Sequence, residues 1–269
     1  MIKSGLKGKV ILITGAGSGI GRATALAFAN EGADLALLDL DRGSLESLES
    51  EVKHRGVKIG LADADLSSSE AGVNSGIDEV LKPFGEKVDV LVNNVGAGSV
   101  RRFDEISDEE WKKTFDLNFL SAVRASRKIL PIMRKNRSGV IVNNASDLGR
   151  QPEANPIDYG CLKAALLALT KGLARAEGPL IRVNAVAPGP IWTPFWTKPG
   201  GFAETLGKFH SLPPMEAVEH EMKLRQLPLA RLGRPEEVAK VIVFLASDIA
   251  SFVTSSVWGV DGGSVRSIT

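Results

Sequence analysis

Short runs of apolar, often β-branched residues alternate along this chain with longer stretches whose apolar positions recur at helical spacing. The runs at 9–14, 34–39, 57–62, 88–93, 139–145, 180–186 and 256–260 predict strands. The stretches at 19–31, 42–55, 69–82, 108–135 (interrupted), 157–177 and 235–246 predict helices. Strands that alternate with helices imply a parallel sheet with helices on both faces, because parallel neighbours need crossover connections. The expected architecture is therefore one doubly wound α/β domain spanning 1–269. Segment 190–230 breaks the pattern. It carries Pro190, Pro194, Pro199, Pro213, Pro214 and Pro228 among Trp192, Phe195, Trp196, Phe202 and Phe209. A long, proline-punctuated, aromatic stretch reads as a substrate lid, with an ordinary packed excursion as the bland alternative.

Composition narrows the function classes. The net charge of +1 gives no global attraction to nucleic acid or to a membrane surface. The basic clusters Arg101-Arg102 and Arg134 to Arg137 are short and read as solvated. The N-terminus lacks an apolar run of signal-peptide length, and no stretch approaches the ~20 apolar residues of a membrane span. A cytoplasmic protein is expected. Cys161 is the single cysteine, which excludes an intrachain disulfide and fits a reducing compartment. His54, His210 and His220 are scattered and no metal-ligand spacing is present, so no catalytic metal is expected.

The candidate chemistry centres on Tyr159 and Lys163, with Ser146 upstream. A free phenol has a pKa of about 10 and is a poor base at neutral pH. Lys163 lies at i+4, on the same helix face, where its charge should favour the phenolate. Ser146 can hold a substrate oxygen against the phenol. Cys161 sits between them at i+2, points away from that face, and reads as a small packing residue. Near the N-terminus, strand 9–14 runs into Gly15-Ala-Gly-Ser-Gly-Ile-Gly21 and then a helix. Strand, glycine turn and helix N-terminus form a phosphate-binding arrangement. Asp39 ends the second strand, where a carboxylate can accept both hydroxyls of an adenosine ribose and repel a 2′-phosphate. Ser18 and Leu40 stand where a phosphate site would want Arg or Lys. Together these residues point to NAD.

On these residues the chain resembles the short-chain dehydrogenase/reductase family, nearly end to end. Besides the glycine turn and Tyr159-Gly-Cys-Leu-Lys163 there are Asn93-Asn94-Val95-Gly96, the helix Asn118, the strand ending in Ser146, Pro188-Gly189, Arg231 to Val238 and Val260 to Gly263. The resemblance implies strand order 3-2-1-4-5-6-7. It implies a catalytic set of Asn118, Ser146, Tyr159 and Lys163. It implies cofactor contacts from Gly15, Ser18, Gly19, Ile20, Gly21, Asp39, Asp65, Leu66, Asn94, Gly96, Tyr159, Lys163, Pro188, Gly189, Ile191 and Thr193. A homotetramer is also implied, with a dimer as the fallback. Three positions depart from the family pattern: Val95 for alanine, Ser255 for glycine, and Asp147 for a small or apolar residue. Asp147 either contacts a polar or cationic substrate group or faces solvent and caps Gly149-Arg150.

The expected activity is hydride transfer between NAD(H) and a secondary alcohol or ketone. The runner-up is a 3-oxoacyl-thioester reductase using NADPH, and a reading from another class is a catalytically silent NAD-binding sensor. Trp192 and Trp196 predict an aromatic pocket wall, with Asp147, Gln151 and Asn155 on a polar wall opposite. That pairing suits a neutral or cationic cyclic substrate, with Asp147 and Glu153 repelling anions.

Overall fold

A computed structural model describes residues 3–85 and 87–268. Its centre is a seven-stranded sheet of order β3-β2-β1-β4-β5-β6-β7. Every neighbouring pair is parallel. The strands are β1 (Val10–Thr14), β2 (Asp34–Asp39), β3 (Ile59–Asp63), β4 (Val90–Asn93), β5 (Gly139–Asn144), β6 (Ile181–Pro188) and β7 (Val257–Val260). Each predicted strand is present, within one to two residues at its start. Strands β1 and β4 are buried throughout because they lie inside the sheet with helices on both sides. The edge strand β7 is not.

Helices α1 (Gly19–Asn30), α2 (Arg42–Val52) and α3 (Glu70–Leu81) follow the first three strands. Two apolar clusters fill the two faces of the sheet. One joins β1, β2 and α1 to the C-terminal helix α10 (Pro235–Ala246). The other joins α3 and α5 (Ser121–Lys135) to the opposite face. The interruption expected in 108–135 is real. Helix α4 (Asp108–Phe115) begins at a Ser107–Glu110 capping box. A π-helical turn, Asp116–Leu120, then separates it from α5. Helix α6 (Ile157–Glu177) runs unbroken from its predicted start to its predicted end.

Segment 190–230, read as a lid and given no predicted helix, forms α7 (Pro194–Thr197), α8 (Phe202–His210) and α9 (Pro214–Arg225). Pro194 and Pro214 occupy the first helical position, where a missing N–H costs nothing. Trp196, Phe202, Ala203, Leu206, Ala217 and Val218 give these helices a small core of their own.

Candidate active site

The sheet order reverses between β1 and β4, and the chain's glycine turn opens there. Gly15 and Gly19 have φ of +67° and +53°, in the left-handed region. A side chain at Gly21 would place Cβ 1.9 Å from the Gly15 carbonyl oxygen, so the turn admits only glycine there. Asn94 ties it down: its Nδ2 donates to the Thr14 and Gly15 carbonyls at 3.1 and 2.9 Å. Its Oδ1 accepts from Asn144 Nδ2 at 2.8 Å. Ser18 is the N-cap of α1 yet its side chain caps nothing. The first amides of α1, at Gly19, Ile20 and Gly21, are therefore left for an anion.

Asp39 lies at the carboxyl end of β2. Its Oδ2 accepts from Gly17 N at 2.8 Å and its Oδ1 from Asp41 N at 3.1 Å. Arg42 is engaged by two carboxylates, 3.0 Å from Glu46 and 3.7 Å from Asp63. Leu40 is 74% exposed and, with Asp65 and the buried Leu66, lines the same end of the cleft. Gly96 packs against two of the expected catalytic residues, since a Cβ there would lie 2.9 Å from Asn118 Oδ1 and 3.1 Å from Lys163 Nζ. At the far side Gly189 N donates to the Val260 carbonyl at 3.1 Å. Ile191 bridges to Gly233. Thr193 covers Gly19, its Cβ 3.3 Å from where a side chain would begin. Pro188, Gly189, Ile191 and Thr193 all line the cleft, whose volume is about 410 Å³.

Ser146, Tyr159 and Lys163 line the cleft, and Asn118 is buried behind Gly96, next to Lys163. The π turn sets Asn118 against residue 97: its Nδ2 donates to the Ala97 carbonyl at 2.9 Å, and its Oδ1 accepts from Ala97 N at 3.1 Å. Lys163 Nζ donates to the Asn144 carbonyl at 2.9 Å and lies 5.4 Å from the centroid of the Tyr159 ring. Burial pulls the Lys163 ammonium down to about 8. The direct lowering of the phenol expected from the i, i+4 spacing is not what governs Tyr159 here. Burial, reinforced by the Asp147 carboxylate, pushes the phenol above its ordinary value, and a hydrogen bond from Ser146 opposes the rise. Gly98 packs on the Tyr159 ring, 3.2 Å from where its Cβ would stand.

The substrate end corrects several expectations. Trp196 is buried and lines the cleft, as do Phe195 and Phe202. Trp192 is 37% exposed and lines no part of the cleft. Gln151 and Asn155 line an adjoining cavity beside His210 and Glu221. Gln151 is held by the C-terminal segment, donating to the Ser264 carbonyl at 3.2 Å and accepting from Arg266 N at 3.0 Å. Asp147 does line the cleft, but it does not present a free charge. Its Oδ1 accepts from Ser146 Oγ at 3.0 Å and Leu148 N at 2.8 Å. Its Oδ2 accepts from Ser264 Oγ at 2.8 Å and lies 3.6 Å from Arg225 Nη1. The anion repulsion expected of Asp147 loses its basis in that compensation, and Glu153 lies exposed on the adjoining cavity. Cys161 is exposed, not packed. Arg225 and Ser264 carried no signal in the sequence, because a lone arginine or serine in an irregular segment belongs to no motif.

Among the described residues no group of three or more His, Cys, Asp or Glu is placed to hold a metal ion. No helix among them is long and apolar enough to cross a membrane.

The chain is similar over nearly its full length to known oxidoreductases. The family described as enoyl-(acyl carrier protein) reductase matches residues 15–265. The 3-oxoacyl-(acyl-carrier-protein) reductase of Thermotoga maritima is 38% identical over 261 residues, covering 97% of this chain and 99% of the relative. Levodione reductase of Leifsonia aquatica is 34% identical over 259 residues, covering 95% and 93%. The structure of L-sorbose reductase from Gluconobacter frateurii, complexed with NADPH and L-sorbose, superposes with a TM-score of 0.89 at 34% identity, covering 99% of this chain and 100% of that one. The chain belongs to the short-chain dehydrogenase/reductase family of oxidoreductases.

Proposed function

We propose that this protein transfers a hydride between NAD(H) and a secondary alcohol or ketone. The observation that carries the reading is the meeting of Ser146, Tyr159 and Lys163 on the floor of a cleft whose other end is an uncapped helix N-terminus beside Asp39. The cradle suits a nicotinamide dinucleotide. Gly15, Gly21, Gly96 and Gly189 pack against the protein's own atoms and fix the shape of the turns around the cleft, and the α1 amides meet the dinucleotide's pyrophosphate. Asp39 receives the adenosine ribose, Asp65 and Leu66 flank the adenine, and Ile191 and Thr193 meet the carboxamide end. When bound, the dinucleotide supplies the hydride acceptor or donor. Tyr159 takes or gives the hydroxyl proton, Ser146 orients the substrate oxygen, Lys163 holds the nicotinamide ribose, and Asn118 steadies the segment carrying Ala97. Acid–base help of this kind is worth about 10²–10⁴-fold.

The substrate proposed is a neutral, ring-bearing secondary alcohol or ketone. Phe195, Trp196 and Phe202 wall that end of the cleft, and aromatic side chains each bury ~150–250 Å². The protein is read as a cytoplasmic homotetramer. A second reading, a 3-oxoacyl-thioester reductase using NADPH, is favoured by the Thermotoga relative and by the NADPH bound in the sorbose reductase. Asp39, with Arg42 engaged elsewhere, weighs against it. Binding titrations with NADH and NADPH, followed by kcat/KM over cyclic alcohols, cyclic ketones and a 3-oxoacyl thioester, separate the two. Tighter NADPH binding together with preferred thioester turnover would overturn the first.

A further inference from the structure

Ser146 has one hydroxyl proton and two neighbours that compete for it. Its Oγ donates to Asp147 Oδ1 at 3.0 Å, and it lines the same cleft as the Tyr159 phenol, which a hydrogen bond from this hydroxyl would hold down. A hydroxyl proton serves one acceptor at a time. An anionic Asp147 is a strong acceptor, so it draws the proton away from Tyr159. Its charge also disfavours a phenolate beside it. Both effects work against Tyr159 as a base.

Arg225 is placed to reverse them. It stands at the end of α9, its side chain is 9% exposed, and its Nη1 lies 3.6 Å from Asp147 Oδ2. That is an ion pair just beyond hydrogen-bond length. Glu221 Oε1 holds Arg225 Nε at 3.1 Å, and Arg266 Nη2 donates to the Arg225 carbonyl at 3.2 Å. Other charged or titratable groups lie near the pair, and the exposed Glu153 shares the adjoining cavity with Arg225. Lys163, from α6, is turned to the Asn144 carbonyl. His210, from α8, lies 3.4 Å from Glu221. Lys198 lines the cleft, and Ser264 Oγ bonds Asp147 from the C-terminal segment.

We propose that Arg225 is a positioning residue: by closing on Asp147 it compensates the carboxylate and releases the Ser146 proton to Tyr159. Docking of α9 over the cleft thereby prepares the site for proton transfer. The inference rests on the dehydrogenase reading, because it assigns Tyr159 as the proton carrier.

Tyr159 is the single tyrosine of the chain, so ultraviolet phenolate absorbance reports this one group without cofactor or turnover. The onset of that signal with rising pH is measured for wild type, Asp147→Asn, Arg225→Gln and the double variant. Alcohol oxidation by the holoenzyme is followed in parallel. Asp147→Asn is expected to bring the onset down by about one pH unit or more. Arg225→Gln is expected to move it up and to slow oxidation at fixed pH by about tenfold for each pH unit that the onset rises. The double variant should titrate with Asp147→Asn, since no carboxylate remains to compensate. Arg225→Lys should recover part of the loss. An Arg225→Gln onset equal to wild type overturns the proposal. So does a double variant displaced upward from Asp147→Asn by as much as Arg225→Gln is from wild type. If Arg225→Gln disturbs α9, the near-isosteric Asp147→Asn still decides, because an unmoved onset there is fatal. Wild type that shows the titration pattern but oxidises no alcohol would sink the dehydrogenase reading and leave the coupling intact.

Discussion

Replacing Asp39 by alanine tests the cofactor assignment at its source. On the proposed binding mode, the 2′-phosphate of NADPH would stand where Asp39 would otherwise meet the ribose. A carboxylate and a phosphate about 5 Å apart repel by about 3 kcal/mol per unit charge at an effective dielectric of about 20. Asp39 is only partly buried, and salt screens exposed charges, so about 1–2 kcal/mol is a fair share to recover. NADPH binding should then improve about five- to thirtyfold. NADH binding should fall, since each hydrogen bond to a charged acceptor is worth about 1.5–3 kcal/mol. Part of that loss is indirect. Asp39 also anchors Gly17 N at 2.8 Å, so its removal loosens the turn that receives the pyrophosphate of either cofactor. The ratio of the two affinities is therefore the informative quantity, and it should move toward NADPH by about a hundredfold. Fluorescence titration of wild type and Asp39→Ala with both dinucleotides, at low and high salt, reads it. The repulsive part should shrink in salt, whereas the hydrogen-bond part should not. A wild type that prefers NADPH, or a ratio untouched by the substitution, refutes the reasoning.

Three other outcomes are expected. Tyr159→Phe should reduce kcat by about 10²-fold or more while leaving the NADH dissociation constant within about twofold, because only the proton carrier is lost; a near-normal kcat would remove Tyr159 from its role. Lys163→Met should abolish turnover yet stabilise the fold at pH 7. The shift from 10.5 to about 8 corresponds to about 3 kcal/mol of burial cost, less about 1 kcal/mol for the hydrogen bond to Asn144. That advantage should fade between pH 8 and 10.5, where the unfolded chain still binds a proton that the folded one has released and wild-type stability climbs. Denaturant melts across that range check the sign, and a variant less stable at pH 7 contradicts it. Light scattering should return four copies of the 28.6 kDa chain; the fully exposed Phe252 and the 37% exposed Trp258 of β7 are apolar surface that assembly would cover. A monomer at micromolar concentration rules that out.

Much of the fold is legible because its signals are local. An apolar run such as Val10–Thr14 can sit only where both faces are buried, and a Ser107–Glu110 box announces its helix start. The left-handed Gly15 and Gly19 mark a turn that other residues would strain. The interruption at Asn118 is also readable, although its π-helical form is not. The three helices of 190–230 escape because proline reads as a breaker. At Pro194 and Pro214 it acts as a starter, a difference set by a position within the helix that composition does not reveal. The direction of the Tyr159 shift escapes for a related reason. The spacing to Lys163 is visible in sequence, but burial and the Asp147 charge are tertiary facts.

The division between what is and is not readable follows the architecture. The asparagines that brace the glycine turn and the cleft sit at the carboxyl ends of adjacent strands, where register alone brings Asn94 beside Asn144 and Asn93 beside Asn143. Groups that shape the substrate end arrive from elsewhere. Ser264 reaches Asp147 across 117 residues of sequence, and Arg225 comes in on a helix with its own small core. That core leaves the excursion free to change without disturbing the sheet. Relatives at 34–38% identity over nearly the full chain can therefore share the strand-end chemistry and still differ in what they admit. Their names fix the class of reaction better than its substrate. Within this chain the residues that decide the substrate are to be sought on α7, α8, α9 and the segment that holds Gln151, because there the cleft wall is built by packing that no strand register dictates.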